Sequence, residues 1–154
     1  MQTYILPMEA LAQLISLQLQ EGGQAKLTVT GSSMLPMLHN RIDTVDLIPI
    51  AGHQQRGAVV LYRRENGQYV LHRIVRARKG SYICCGDNQC MREPVEQDQL
   101  LAVVAGFTRK GRHYKVTDLG YRIYTALWVG LFPLRGIYIF ARRTFAKLRK
   151  IIHK

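Results

Sequence analysis

The sequence predicts a mainly β, α+β fold: one antiparallel β body with an amphipathic helix before it and a helical hairpin after it. The length of 154 residues suits one domain plus appendages. From Ala25 to Val116 apolar and polar residues alternate in short runs separated by turn-prone groups, among them Glu65-Asn66-Gly67, Lys79-Gly80 and Lys110-Gly111. On either side of that stretch the apolar period becomes helical. Apolar residues make up 47% and charged ones 21%, which excludes a disordered or collagen-like chain.

Residues 1–24 hold the first helix. Met8, Leu11, Leu14, Ile15 and Leu19 fall on one stripe, and Gly22-Gly23 end it. Met1 to Pro7 has no positive charge and no continuous apolar block follows, so a cleaved secretory leader is not expected. Residues 25–116 form the expected β body, with strands at Lys26–Thr30, Val45–Ile50, Ala58–Tyr62, Tyr69–Val75, Tyr82–Cys85, Leu100–Phe107 and His113–Val116. Residues 117–154 form the expected hairpin. Thr117-Asp118 supplies its N-cap, Leu119 to Phe132 is apolar and aromatic, Pro133 breaks it, and Arg and Lys are interleaved through Leu134 to Ile152.

The longest uncharged run of the hairpin, Ile123 to Leu134, is 12 residues, short of the ~20 that span a bilayer. The expectation is an interfacial hairpin. Tyr121, Tyr124, Trp128, Phe132 and Tyr138 suit the headgroup boundary, and Arg142, Arg143, Lys147, Arg149 and Lys150 suit anionic lipid. A helical pair packed on the body or on a dimer partner is the alternative. As an appendage, the hairpin is expected to be removable without unfolding the β body.

Charge supports a polyanionic surface met by one end. Lys and Arg number 22 against 10 acids, and from Arg109 onward there are 12 basic residues and one acid, Asp118. A nearly neutral body argues against a bound nucleic acid. Cys84, Cys85 and Cys90 are an odd number at close spacing without a Cys-x-x-Cys repeat, so neither a disulfide framework nor a metal or other cofactor is expected.

The chemistry begins at Gly31-Ser32-Ser33-Met34-Leu35-Pro36, where a serine after a strand, on a turn stiffened by glycine and proline, can project its hydroxyl. Serine needs a neighbouring base. In Tyr69-Val70-Leu71-His72-Arg73-Ile74-Val75, alternation puts His72 on the face of Val70 and Ile74, and Arg73 on the other. Gly86-Asp87-Asn88 reads as a turn.

Together, G-S-S-M-L-P at 31–36, R-G-A-V-V-L-Y at 56–62, Y-V-L-H-R-I-V at 69–75 and C-G-D-N at 85–88 resemble, in family order, the type I signal peptidase superfamily of membrane-associated serine proteases. The resemblance covers residues 25–108 and implies a signal-peptidase-like β body that hydrolyses a leader or precursor peptide at the cytoplasmic membrane. It makes Ser33 the nucleophile and His72 the general base, as in the endoplasmic-reticulum and archaeal branch, where bacterial members commonly carry lysine. It assigns the orienting acid to Glu93, with Glu96 and Asp98 close by, and pairs Asp87 with Arg73 to hold the GDN turn on the catalytic strand. The Ser33 N–H is an implied oxyanion donor. Gly31 stands where many relatives have serine, so Ser32, Thr30 or a backbone group would be the second. Small-residue pockets would be lined by Met34, Leu35, Met37 and Leu38, side chains that equally suit the core. A histidine base, with its reference pKa of ~6.5, predicts activity that rises through mildly acidic pH. A peptide-binding or scaffold protein without useful turnover is the alternative reading.

Overall fold

The computed structural model describes residues 8–141 and Thr144. Helix α1 (Met8–Gln20) is followed by eight strands: β1 (Ala25–Thr28), β2 (Thr44–Pro49), β3 (Val59–Arg63), β4 (Tyr69–Arg78), β5 (Ser81–Cys85), β6 (Glu93–Glu96), β7 (Leu100–Arg109) and β8 (Arg112–Lys115). All pairings are antiparallel, in the order β1-β2-β7-β3-β4-β5-β6, with β8 also on β7. The fold is mainly β, as the alternation predicts.

Each expected run overlaps a strand, and the sequence reading misses only β6. Its sequence Glu-Pro-Val-Glu has one buried apolar residue, Val95, and a proline, which lacks the ladder donor. Proline is tolerated there because β6 lies at the sheet edge. Helix α1 also departs in detail. Ala12, Ile15 and Leu19 are buried, whereas Leu14, expected on the buried stripe, is 53% exposed.

The sheet buries both faces. One carries Leu27, Val45, Leu47, Val59 and Leu61, covered by α1 and by Met34, Met37 and Leu38; the other carries Val60, Tyr62, Ile74, Tyr82, Cys84 and Val95. Adjacent residues of β4 therefore enter different interiors, His72 the second and Arg73 the first.

After β8 comes α2 (Leu119–Gly130), then a break at Phe132–Leu134 around Pro133, and helix again over residues 135–141, bent by 67° from α2. Asp118 sits at the N-cap position, but its Oδ2 accepts the Lys115 N–H at 2.8 Å instead of capping the helix. Among the described residues no single helix is long and apolar enough to cross a membrane; the bent pair passes that test only together.

Two expectations for the hairpin are corrected. The aromatic residues assigned to a headgroup boundary mostly face inward: Tyr121 packs on Phe107, Tyr124 stacks on Trp128, and Phe132 lies against Arg92 and Arg135. The outward stripe is chiefly aliphatic, with Leu119, Ile123, Leu127, Leu131, Leu134, Ile137 and Phe140 each more than half exposed. The hairpin is also tied into the β body and does not stand apart from it. Val129, Arg135 and Ile139 are buried, and Tyr121, Tyr124 and Thr125 bond a buried ion pair of the β body. Arg142, Arg143, Lys147, Arg149 and Lys150 lie outside the described residues.

Candidate active site

Ser33 follows β1 on a turn that begins at Gly31, whose φ of 84° is a left-handed conformation costly for any side chain. The turn is anchored by its carbonyls. The Asn88 N–H donates to the Ser33 carbonyl at 2.7 Å, and Asn88 Nδ2 donates to the Ser32 carbonyl at 3.1 Å. Among the described residues, neither the Ser33 N–H nor its hydroxyl makes a hydrogen bond, so the groups that chemistry would use are left over. Ser32 is exposed, and so is Thr30.

Gly86 explains why this contact is so close. A Cβ there would lie 2.7 Å from the Ser33 carbonyl oxygen, 2.9 Å from Gln89 Oε1 and 3.1 Å from His72 Nε2. Ser33 and His72, 39 residues apart in sequence, thus meet around one glycine that no other residue could replace without displacing them. Gln89, at this meeting point, has no part in the sequence reading, because nothing in its local pattern distinguishes it from turn residues.

The other side of the imidazole is organised by sheet register. His72 pairs with Val60 and Val70 with Tyr62, so Tyr62 is the diagonal neighbour of His72 on the same face. Ile74, Cys84 and Glu93 form a cross-strand row, which puts Glu93 on that face too. The Tyr62 hydroxyl is 3.2 Å from His72 Nδ1 and donates to Glu93 Oε2 at 2.8 Å. Glu93 Oε1 lies 3.7 Å from His72 Nδ1, beyond hydrogen-bond length. Arg64, from the β3–β4 turn, clamps Glu93 through both Nε and Nη2. Glu93 lies close to His72 without a direct hydrogen bond to it, and Tyr62 and Arg64 are additions to the sequence reading.

Burial pushes the His72 pKa down to about 4, against the opposing pull of Glu93 and Asp87. With its pKa below the reference histidine value, the imidazole is neutral across the mildly acidic range. For Glu93, burial would raise the pKa, but hydrogen bonds from Arg64 and Tyr62 outweigh it and hold the carboxyl below its ordinary value. Burial, then the Glu93 carboxylate, raises the Tyr62 pKa and keeps the phenol neutral.

On the opposite face Arg73 Nε and Nη2 donate to Asp87 Oδ1 and Oδ2, both at 2.8 Å, and both side chains are 0% exposed. This is the expected pair that holds the GDN turn on β4. Arg73 Nη1 also donates to the Gly57 carbonyl, Tyr121 and Thr125, and Tyr124 donates to Asp87 Oδ2. Arg135 adds a second tie, donating to the Gly86 and Gln89 carbonyls.

A cavity of about 120 Å³ opens beside Ser33, lined by Leu27, Val29, Met34, Leu61 and Leu71 among others. Of the pocket residues expected from sequence, Met34 lines it. Leu35 is half-buried in the turn outside the lining, while Met37 and Leu38 are buried in the core, Met37 with its Sδ accepting from Arg73 Nη2. Cys84 and Cys85 are buried thiols whose pKa values burial raises, that of Cys84 to about 12, and Cys90 is exposed. Among the described residues no group of three His, Cys, Asp or Glu side chains could hold a metal ion. No protein-family model and no curated protein matches this chain.

Proposed function

We propose that this protein is a serine endopeptidase resembling type I signal peptidase, cleaving a leader or precursor peptide with Ser33 as nucleophile and His72 as general base. The observation that carries the reading is the meeting of His72 Nε2 with the Ser33 turn at Gly86, with the imidazole held neutral. As Ser33 Oγ bonds to the scissile carbonyl carbon, its proton passes to His72. The imidazolium returns that proton to the leaving amine, and water repeats the cycle on the acyl-enzyme. The free Ser33 N–H suits an oxyanion donor, and one such donor is typically worth ~10²- to 10³-fold in kcat. The small cavity suits a small side chain, and the edge of β1 beside it, without a strand partner among the described residues, suits strand addition by a peptide.

The reading includes action at an anionic membrane surface to which the protein is peripherally bound. Its support is the exposed aliphatic stripe of α2 and residues 131–140, next to a groove at the helix break lined by Arg56, Arg76 and Arg92. Apolar insertion combined with basic contacts is the physics of interfacial binding.

One experiment tests both parts: labelling with a fluorophosphonate, with and without vesicles containing phosphatidylserine, followed by mass spectrometry. Ser33 should be phosphonylated in the wild type, its Oγ displacing fluoride from phosphorus, and unlabelled in Ser33→Ala, which should lose on the order of 10⁶-fold in kcat with its fold intact. Vesicles should cosediment the wild type and release Leu127→Ser/Leu131→Ser. Absence of Ser33 phosphonylation with or without vesicles sinks the peptidase and favours a peptide-binding scaffold; cosedimentation unaffected by the double substitution sinks the membrane face.

A further inference from the structure

We infer that Tyr62 is a positioning residue for the proposed reaction: its hydroxyl, inserted between His72 Nδ1 and Glu93, fixes the imidazole tautomer that leaves Nε2 free to accept the Ser33 proton. The inference rests on the peptidase reading for its role in turnover, but the tautomer itself follows from hydrogen-bond directions alone.

The Tyr62 hydroxyl has one proton. Glu93, clamped by the Arg64 guanidinium, is an ionised acceptor, and the Tyr62 proton points at its Oε2 at 2.8 Å. That leaves only the lone pairs of the Tyr62 oxygen toward the ring, 3.2 Å away. Nδ1 must then carry the proton and donate it, because a lone pair facing a lone pair in a buried site is repulsive. A neutral imidazole has one N–H, so Nε2 is the bare nitrogen, and Nε2 is the atom that approaches the Ser33 turn at Gly86. The direction of each bond is thereby set from the guanidinium inward, and reversing any one would leave two donors or two acceptors opposed.

The same chain matters when the proton arrives. Burial disfavours the imidazolium, and Glu93 and Asp87 are the anions that favour it. Glu93 Oε1 stands 3.7 Å from Nδ1, so its charge favours the imidazolium through space while its hydrogen bond reaches the ring through the polarised phenol. Burial and Glu93 raise the phenol's pKa, so Tyr62 gives up no proton. During acylation the proton moves from Ser33 Oγ to Nε2 and nothing is transferred along Nδ1–Tyr62–Glu93. Tyr62 touches no reacting atom.

The position is built for this task. Tyr62 is 1% exposed, and its phenyl body packs with Val60, Ile74, Cys84 and Val95. A phenylalanine keeps that packing while removing the one hydroxyl.

Two measurements on the full chain test the inference, the first without substrate. In ¹⁵N-histidine-labelled wild type, the His72 resonances should report protonated Nδ1 and bare Nε2, and Tyr62→Phe should shift the population toward protonated Nε2. The second is steady-state kinetics. Tyr62→Phe should lower kcat by on the order of 10²- to 10⁴-fold, the upper end being what a wrong tautomer costs in a Ser-His-Asp peptidase, with KM little changed. A wild-type His72 protonated on Nε2 overturns the inference even if Tyr62→Phe fails to fold, and so does a folded Tyr62→Phe with wild-type tautomer and kcat. The expected tautomer shift in a chain that never acylates Ser33 would instead leave the Tyr62 assignment standing and reject the peptidase.

Discussion

His72 and Arg73 are consecutive residues of β4, both buried, and the sheet sends them into different interiors. Arg73 meets its counter-ion directly: two hydrogen bonds to Asp87, both partners fully buried, with further side-chain hydrogen bonds to Gly57, Met37, Tyr121 and Thr125. Burial opposes the Arg73 charge, and the Asp87 carboxylate outweighs it, so the guanidinium stays protonated at any pH a protein survives. His72 is held apart from its nearest carboxylate by a phenol, and burial keeps it neutral. Direct bidentate contact makes a permanent charge suited to holding a turn. An interposed neutral donor leaves an acid–base group able to change charge briefly, which a permanent ion pair could not do.

The sharpest way to break this comparison is to remove one charge of the permanent pair. Asp87→Asn or Arg73→Ala leaves the other partner buried without compensation, which costs about 3 to 5 kcal/mol. For a chain of this size the Tm should fall by about 6 to 20 °C by calorimetry. Residual activity well below that Tm should remain, because Asp87 and Arg73 lie across the sheet from His72. Wild-type stability with complete loss of activity would move Asp87 into the chemistry and erase the distinction between the two faces.

The next effect belongs to His72. Its folded pKa of about 4 lies below the ordinary value near 6.5, so between those values the unfolded chain binds the extra proton. Stability from keeping the ring neutral is complete above about pH 6.5 and is lost as pH falls toward 4, and the difference amounts to roughly 3 kcal/mol. Glu93, Arg64 and Tyr62 face the same ring and the Asp87 charge acts on it from across the sheet; Glu93, with its lowered pKa, contributes stability above its ordinary carboxyl value and loses it as pH falls below that value. Chemical denaturation from pH 4 to 7 should show the rise in wild type and a flatter profile in His72→Gln. Equal slopes in the two would mean that the ring titrates as if solvated, and the buried-neutral half of the comparison would fall.

Much of this arrangement is legible in the chain before folding, and the exceptions have physical causes. Period-two alternation finds seven strands, all of which except β8 bury residues on at least one face; β8 has none buried and is marked by the Lys110-Gly111 turn before it, and β6 escapes because Val95 is its only buried apolar residue. His72 and Arg73 are assigned to opposite faces by alternation alone. Tyr62 was within reach: the Glu65-Asn66-Gly67 turn fixes a register in which Tyr62 pairs with Val70 and lies diagonal to His72. Its hydroxyl goes unread because a tyrosine in an apolar run looks like core, which its ring is. For α2 the difficulty is that two apolar stripes exist, one through Tyr121, Thr125, Trp128 and Phe132 and one through Leu119, Ile123, Leu127 and Leu131. Composition favours the aromatic stripe as the lipid-facing one, yet that stripe leads to Arg135, whose guanidinium finds carbonyl acceptors in the GDN turn of the body.

The smallest effect tests how α2 seals the permanent pair. Tyr124 donates to Asp87 Oδ2 at 3.1 Å, and burial, then Asp87, raises its pKa, so it is a neutral donor there. Both Asp87 oxygens already accept from Arg73, so Tyr124→Phe removes a supplementary bond without orphaning the carboxylate. The cost should be about 1 kcal/mol, a Tm decrease of roughly 2 to 4 °C, with kcat unchanged. The ring should continue to stack on Trp128, because the substitution leaves its faces intact. Should Tyr124→Phe instead destabilise as strongly as Arg73→Ala, the phenol would be as integral to the permanent pair as Tyr62 is to His72. The two faces of β4 would then differ in which group is charged, and no longer in how a phenol is used.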